Sequence, residues 1–66
     1  MKMTLNGDDY EHEGDPTLVA LLKSLDADRA RVAVVINDEV VVRSAYDGVG
    51  IKPGDRVEIL ALAGGG

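Results

Sequence analysis

Leu18, Leu21, Leu22 and Leu25 stand at positions i, i+3, i+4 and i+7, which is one face of an α-helix. Such a stripe has to leave water, and the rest of the chain offers one kind of partner for it. On both sides of the stripe the residues alternate in polarity or run in β-branched blocks, the patterns of strands. The fold is thereby constrained to one helix lying on a sheet. At 66 residues the chain makes one domain, and a domain of that size buries only about 60% of the surface its unfolded chain exposes. There is no cysteine to staple it, and the only aromatics are Tyr10 and Tyr46. Aliphatic packing must therefore supply the core.

The order of the strands follows from the turn residues. Met1 to Leu5 alternates apolar and polar, and Asn6-Gly7 is the signal of a type I′ hairpin turn, whose central residues both need positive φ. A returning strand is expected over Asp9 to Glu13, with Leu5 opposite Asp8, Met3 opposite Tyr10 and Met1 opposite His12. Gly14-Asp15-Pro16 interrupts it. The helix then starts with Thr17 as N-cap, or with Asp15 as the cap and Pro16 in the first turn. Asp26 to Arg31 reads as the helix end and a loop. Val32 to Ile36 is a buried strand, Asn37-Asp38 a turn, and Glu39 to Arg43 another strand. Ser44 to Gly48 reads as a helical turn or loop, with Ile51 as an anchor. Pro53-Gly54 suits a type II turn, and Arg56 to Leu62 forms the last strand. Val57, Ile59 and Ala61 are expected to face the helix, because the opposite set contains Glu58. The order strand, strand, helix, strand, strand, strand is that of an α+β chain with the β-grasp (ubiquitin-like) fold. It implies a mixed sheet of four to five strands with one main helix on one face.

Composition removes several classes of function. A net charge of −5 is unsuited to phosphate backbones, so nucleic acid and anionic membrane surfaces are not expected partners. No apolar run approaches the ~20 residues of a membrane span, and the start of the chain lacks a signal-peptide pattern. The expected setting is cytoplasmic. With one histidine, no cysteine, and serines only at Ser24 and Ser44, no nucleophile–base–orienter set can be assembled. His12 is expected to pack beside Met1 rather than act as a base or ligand. Asp8, Asp9, Glu11 and Glu13 read as a solvated, aggregation-resistant strand edge, and no metal site is expected.

What remains is the run Gly64-Gly65-Gly66, directly after the last strand. It lacks the lysine and following helix of a phosphate-binding loop. Without Cβ atoms, such a tail can lie extended in a narrow channel. A terminal carboxylate on Gly66 would be ionised near neutrality and could attack the α-phosphorus of ATP. Residues 1–63 are thus expected to form the domain and residues 64–66 a flexible tail, since glycines lose much entropy on ordering. Leu60 and Leu62 should project from the open side of the sheet beside this tail, as a partner-docking patch.

The chain resembles the ThiS family, the ubiquitin-like sulfur carriers of thiamin thiazole biosynthesis, over its whole length. The resemblance lies in Met1 to Leu5 with Asn6-Gly7, in the Thr17 helix with Leu21, Leu22 and Leu25, and in the segment Val34 to Arg43. Gly54 to Ile59 and the final glycines complete it. It implies a carrier that is not itself an enzyme and binds no cofactor. A ThiF-like adenylyltransferase would adenylate Gly66 with Mg-ATP. A persulfide donor would convert it to a thiocarboxylate, and a ThiG-like thiazole synthase would accept the sulfur. The family pattern carries over to Gly65 and Gly66, whereas Gly64 falls where the family tail varies. The free chain is expected to be a monomer. The small subunit of molybdopterin synthase (MoaD) has the same fold and chemistry but tends to carry a Pro-Pro pair before its glycines, where this chain has Leu60-Ala61-Leu62-Ala63. A β-grasp binding module with an inert tail is the alternative of a different class.

Overall fold

A computed structural model describes residues 1–62. Its elements are β1 (Lys2–Leu5), β2 (Asp8–Glu11), α1 (Leu18–Ser24), β3 (Val32–Ile36), β4 (Glu39–Val41) and β5 (Arg56–Ala61). Short 3-10 helices occupy Arg29–Arg31 and Arg43–Gly48. The strands form one five-stranded sheet in the order β2-β1-β5-β3-β4. β1 and β5 pair in parallel, and the other neighbours are antiparallel. This is the β-grasp arrangement expected from the order of elements.

The turns take the conformations that their residues favour. Asn6 and Gly7 have φ of 50° and 86°, and the register places Leu5 opposite Asp8 and Met3 opposite Tyr10. Asn37 and Asp38 also have positive φ, 51° and 69°, a region that Asn and Asp tolerate through local hydrogen bonding. Asn37 accepts from the Arg56 amide at 3.0 Å and donates to Asp55 at 3.1 Å, so this turn is tied to the start of β5. Gly54 takes φ 87° in the Pro53-Gly54 turn, which the Asp55 amide closes on the Lys52 carbonyl at 3.1 Å.

The helix starts at the first of the two expected positions. Thr17 is extended and its hydroxyl accepts from the Ala20 amide at 3.1 Å. At the other end the Ala27 amide bonds the Leu22 carbonyl and the Asp26 amide bonds that of Lys23, with Asp26 at φ 55°. These two bonds make a Schellman motif, which satisfies carbonyls that the helix end leaves open. Leu18, Leu21 and Leu22 are buried and Leu25 is half-buried against them. They meet Met3, Val32, Val34, Tyr46, Ile51 and Val57 in one core, where each buried large aliphatic contributes roughly 1.5–3 kcal/mol.

Three strands are shorter than expected. β2 stops at Glu11, not Glu13, because His12 turns into the core; it is 2% exposed. Its Nε2 lies 2.7 Å from the Asp15 carbonyl, which can only accept, so the proton sits on Nε2. The His12 amide reaches the Met1 carbonyl at 2.9 Å, the expected pairing. β4 stops at Val41, not Arg43, because Val42 already caps the second 3-10 helix. β5 stops at Ala61, not Leu62. Ala61 was expected to meet the leucine stripe, yet it is exposed. The physical reason is length: α1 has seven residues, about 10 Å of helix, and cover on that face fades from Val57 (buried) through Ile59 (half-buried) to Ala61.

Thr17→Ala removes the cap and should cost about 1 kcal/mol, lowering Tm by roughly 4–8 °C in a domain of this size. Thermal unfolding followed by circular dichroism measures it; an unchanged midpoint would show that the cap contributes nothing.

Candidate functional site

The candidate site is the distal end of β5 and what surrounds it. β5 is central in the sheet, but its two edges are covered to different extents. On the β3 side the register runs from Ile36 opposite Val57 to Val32 opposite Ala61, and the Leu62 amide extends it by bonding the Arg31 carbonyl at 2.8 Å. On the β1 side only Arg56 and Val57 are paired, with Thr4 and Leu5. There the hairpin turns away, and the Asn6 side chain takes over. Its Oδ1 accepts from the Ile59 amide at 2.8 Å and its Nδ2 donates to the Ile59 carbonyl at 3.3 Å. A side-chain amide thus acts as one more peptide unit at the end of β1.

The open face of the sheet carries the apolar side chains. Leu60 is 56% exposed and Leu62 49%, the two residues that the sequence places beside the tail. The patch is wider than those two. Ala33 lies opposite Leu60, and Val42 follows Val41, which pairs with Val34, so Val42 falls in the same row. Val40 lies opposite Val35, and Val35 opposite Glu58. Val40 and Val42 are the most exposed large apolar residues among those described, at 74% and 63%. Sequence reasoning assigned both to a strand without foreseeing their exposure. Their spacing of two, next to a turn, was the available signal.

The segment that supports Arg31 is held by a compact polar cluster. Arg29 donates to Asp47 through Nη1 at 2.7 Å and Nη2 at 3.3 Å, and its guanidinium lies 5.6 Å from the centre of the Tyr46 ring. Tyr46 is buried and its hydroxyl donates to the Val32 carbonyl at 3.2 Å. The two 3-10 helices are thereby joined next to the start of β3. The hydrogen bond from Arg29, helped by its positive charge, holds the Asp47 carboxyl below the usual carboxylate range. The same bond raises the Arg29 guanidinium. No sequence spacing pointed to this cluster, since Arg29 and Asp47 are 18 residues apart.

At the opposite end of β5 a shallow cavity of about 230 Å³ is lined by Thr4, Gly7, Asp38, Arg56, Val57 and Glu58. Arg56 donates to Asp38 at 2.8 Å across it, so the two charges answer each other. Among the described residues no group of three His, Cys, Asp or Glu is placed to hold a metal. Among them, too, no helix is long and apolar enough to cross a membrane. The described body offers an anchored strand end and an apolar surface beside it. Gly64, Gly65 and Gly66, and the domain boundary expected at residue 63, lie outside the described residues.

Because the Asp47 carboxyl is lowered in the folded state, the stability it adds is present above the ordinary carboxylate range and is lost as pH falls through the folded value. Asp47→Asn should thus unfold at lower urea than the parent at neutral pH, with the gap closing in strong acid. A gap of constant size across that range would show that the charge is irrelevant.

A family model described as the ThiS family matches residues 3–66. A thiazole synthase of Paramagnetospirillum magneticum is 41% identical over 66 residues, which is all of this chain and 20% of that protein. One of Magnetococcus marinus is 38% identical over the same 66 residues, again 20% of its length. The chain thus spans about a fifth of the length of the curated relatives it matches. Among solved structures, the crystal structure of the thiamine biosynthesis protein ThiS from Geobacter metallireducens superposes with a TM-score of 0.83 at 38% identity, covering all of both chains. An NMR solution structure of a thiamine biosynthesis protein from the same organism gives 0.81 at 38% identity, covering all of this chain and 88% of that one.

Proposed function

The chain belongs to the ThiS family, and from that premise we propose that it is a sulfur carrier for thiazole formation in thiamin biosynthesis, acted on by partners rather than itself an enzyme. The observation that carries this reading is that the family match continues through Gly66, beyond the body to the glycines on which the chemistry would depend. The geometry of β5 supports it. The strand is anchored by Arg31 at its last described residue and carries exposed leucines beside the point where the tail departs.

The reaction requires a free α-carboxylate on Gly66. One of its oxygens attacks the α-phosphorus of Mg-ATP in a ThiF-like adenylyltransferase. The bond to the β-phosphate breaks and pyrophosphate leaves. The resulting acyl adenylate has AMP as leaving group; the terminal sulfur of a persulfide displaces it to form an acyl disulfide, and a second thiol then cleaves the S–S bond, releasing the thiocarboxylate and leaving the donor sulfur in a disulfide. Gly65 and Gly64 let the chain enter the active-site channel without a Cβ to obstruct it. Leu60 and Leu62 would dock the body so that the carboxylate is held near the phosphate, converting an encounter into a positioned reaction. The two relatives described as thiazole synthases carry the matching region within one longer chain. That supports a ThiG-like synthase as the sulfur acceptor.

Incubation with the cognate adenylyltransferase, Mg-ATP and a sulfur source should raise the intact mass by about 16 Da, sulfur replacing oxygen. The starting mass establishes whether Gly66 is the terminal residue. A chain ending at Gly66 with no mass change would point instead to a β-grasp module with an inert tail. Leu60→Asp should fold like the parent, because the side chain is exposed, and slow adenylation by roughly tenfold or more through loss of an apolar anchor. Equal pyrophosphate-exchange rates in the two proteins would remove Leu60 from the docking surface.

A further inference from the structure

Along β5 the backbone groups alternate in direction, as they must in a ladder. Leu62 donates to the Arg31 carbonyl and Asn37 to that of Arg56, so the even-numbered residues face β3. Thr4 and Asn6 donate to the carbonyls of Asp55 and Val57, so the odd-numbered residues face β1. β1 itself stops at Leu5. Among the described residues only Asn6 reaches the next odd residue, Ile59, whose N–H and C=O it takes with one carboxamide at 2.8 and 3.3 Å. The Asn6 amide is already committed to Val57 at 2.9 Å. Backbone and side chain of one residue thus hold two successive odd positions of β5.

The hairpin turn does not require this clamp. Asn6 stands at φ 50°, and a type I′ turn accepts Gly or Asp there as readily. Neither has a group that both accepts and donates at neutral pH, as a carboxamide does. The carboxamide is therefore surplus to the turn, and what it serves is β5.

We infer that Asn6 is a positioning residue for activation of the carrier: by clamping Ile59 it fixes the direction in which β5 presents Leu60 and Leu62 to the adenylyltransferase. This rests on the reading of the chain as an activated carrier. Without the clamp, the end of β5 would be held on its β3 flank alone and could swing about that flank. Leu60 and Leu62 would remain exposed and able to dock. The carboxylate they help to place would then arrive over a wider spread of directions. Misplacing a reacting group by about 1 Å can cost roughly 10²-fold in rate. The loss should therefore fall on kcat more than on KM.

Asn37 supplies the control. It occupies the equivalent place in the other hairpin turn, at φ 51°. Its side chain accepts from the Arg56 amide at 3.0 Å and donates to Asp55 at 3.1 Å. It clamps the start of β5 as Asn6 clamps the far half. A purely structural role would make the two residues equivalent.

The test is pyrophosphate exchange with the cognate adenylyltransferase and Mg-ATP over a range of carrier concentrations, with thermal melts to establish that each variant folds. Asn6→Gly keeps the turn and removes the clamp; kcat should fall roughly tenfold with KM close to that of the parent. Asn6→Asp keeps an acceptor for the Ile59 N–H and should recover part of the rate. Asn37→Gly should lower Tm and leave kcat unchanged. Amide hydrogen exchange by NMR tests the clamp in the parent itself: the Ile59 amide should be protected there and exposed in Asn6→Gly, while Leu62 is unaffected. An unprotected Ile59 amide in the parent overturns the inference, as does a folded Asn6→Gly with the kcat of the parent. Equal losses of kcat in Asn6→Gly and Asn37→Gly would reduce Asn6 to a structural residue, and a loss confined to KM would make it a docking contact; either overturns the inference. In all these cases a parent that gains about 16 Da leaves the carrier reading standing. A parent ending at Gly66 that is not adenylated removes both.

Discussion

The parallel pairing of β1 with β5 is two residues long, and much of the structure is arranged around that shortness. A two-residue ladder cannot by itself hold the central strand, so three other devices share the task. Asn6 continues the pairing with its side chain, β3 runs the full length of β5 on the other side, and α1 covers Val57 and Ile59 from above. None of the three protects Ala61 on the β1 side. The end of the strand is consequently held on one flank and open on the other.

Polar groups carry more of the architecture than their number suggests. Asn6 and Asn37 sit at equivalent places in the two hairpin turns, both at positive φ, and both send their side-chain amides to β5. With Tyr46 the only large aromatic in the core, its hydroxyl on the Val32 carbonyl does more than satisfy a buried O–H. It fixes the chain where β3 begins, one residue from the Arg31 carbonyl that receives Leu62. The Arg29–Asp47 pair is exposed and individually weak, but together with the stacking of Arg29 over Tyr46 it joins the two short helices.

The sequence made some of this legible and hid the rest for definable reasons. Asn6-Gly7, Pro53-Gly54 and the leucine stripe are local signals, since each reports a backbone conformation or a periodicity within a few residues. They were enough for the element order and hence for the sheet. The exposure of Leu60 and Leu62 was also readable, because Glu58 fixes which side of β5 faces water. Ala61 was misjudged because a two-residue alternation says which face a residue takes but not how far the helix reaches over that face. The Asn6 amide on Ile59 spans 53 residues, and no turn preference encodes a partner at that distance. Val40 and Val42 looked like ordinary strand residues because β-branched composition does not distinguish a covered strand from the bare edge of a sheet.

Seen mechanically, β5 is a cantilever. A pull on its far end acts along the strand, so the bonds to β3, the short ladder to β1 and the two contacts from Asn6 are loaded together in shear rather than opened one by one. The Leu62–Arg31 bond is nearest the load, and the Tyr46 hydroxyl braces the adjacent carbonyl of Val32. Force transmitted through the tail is thereby spread over the sheet before it reaches the leucines of α1.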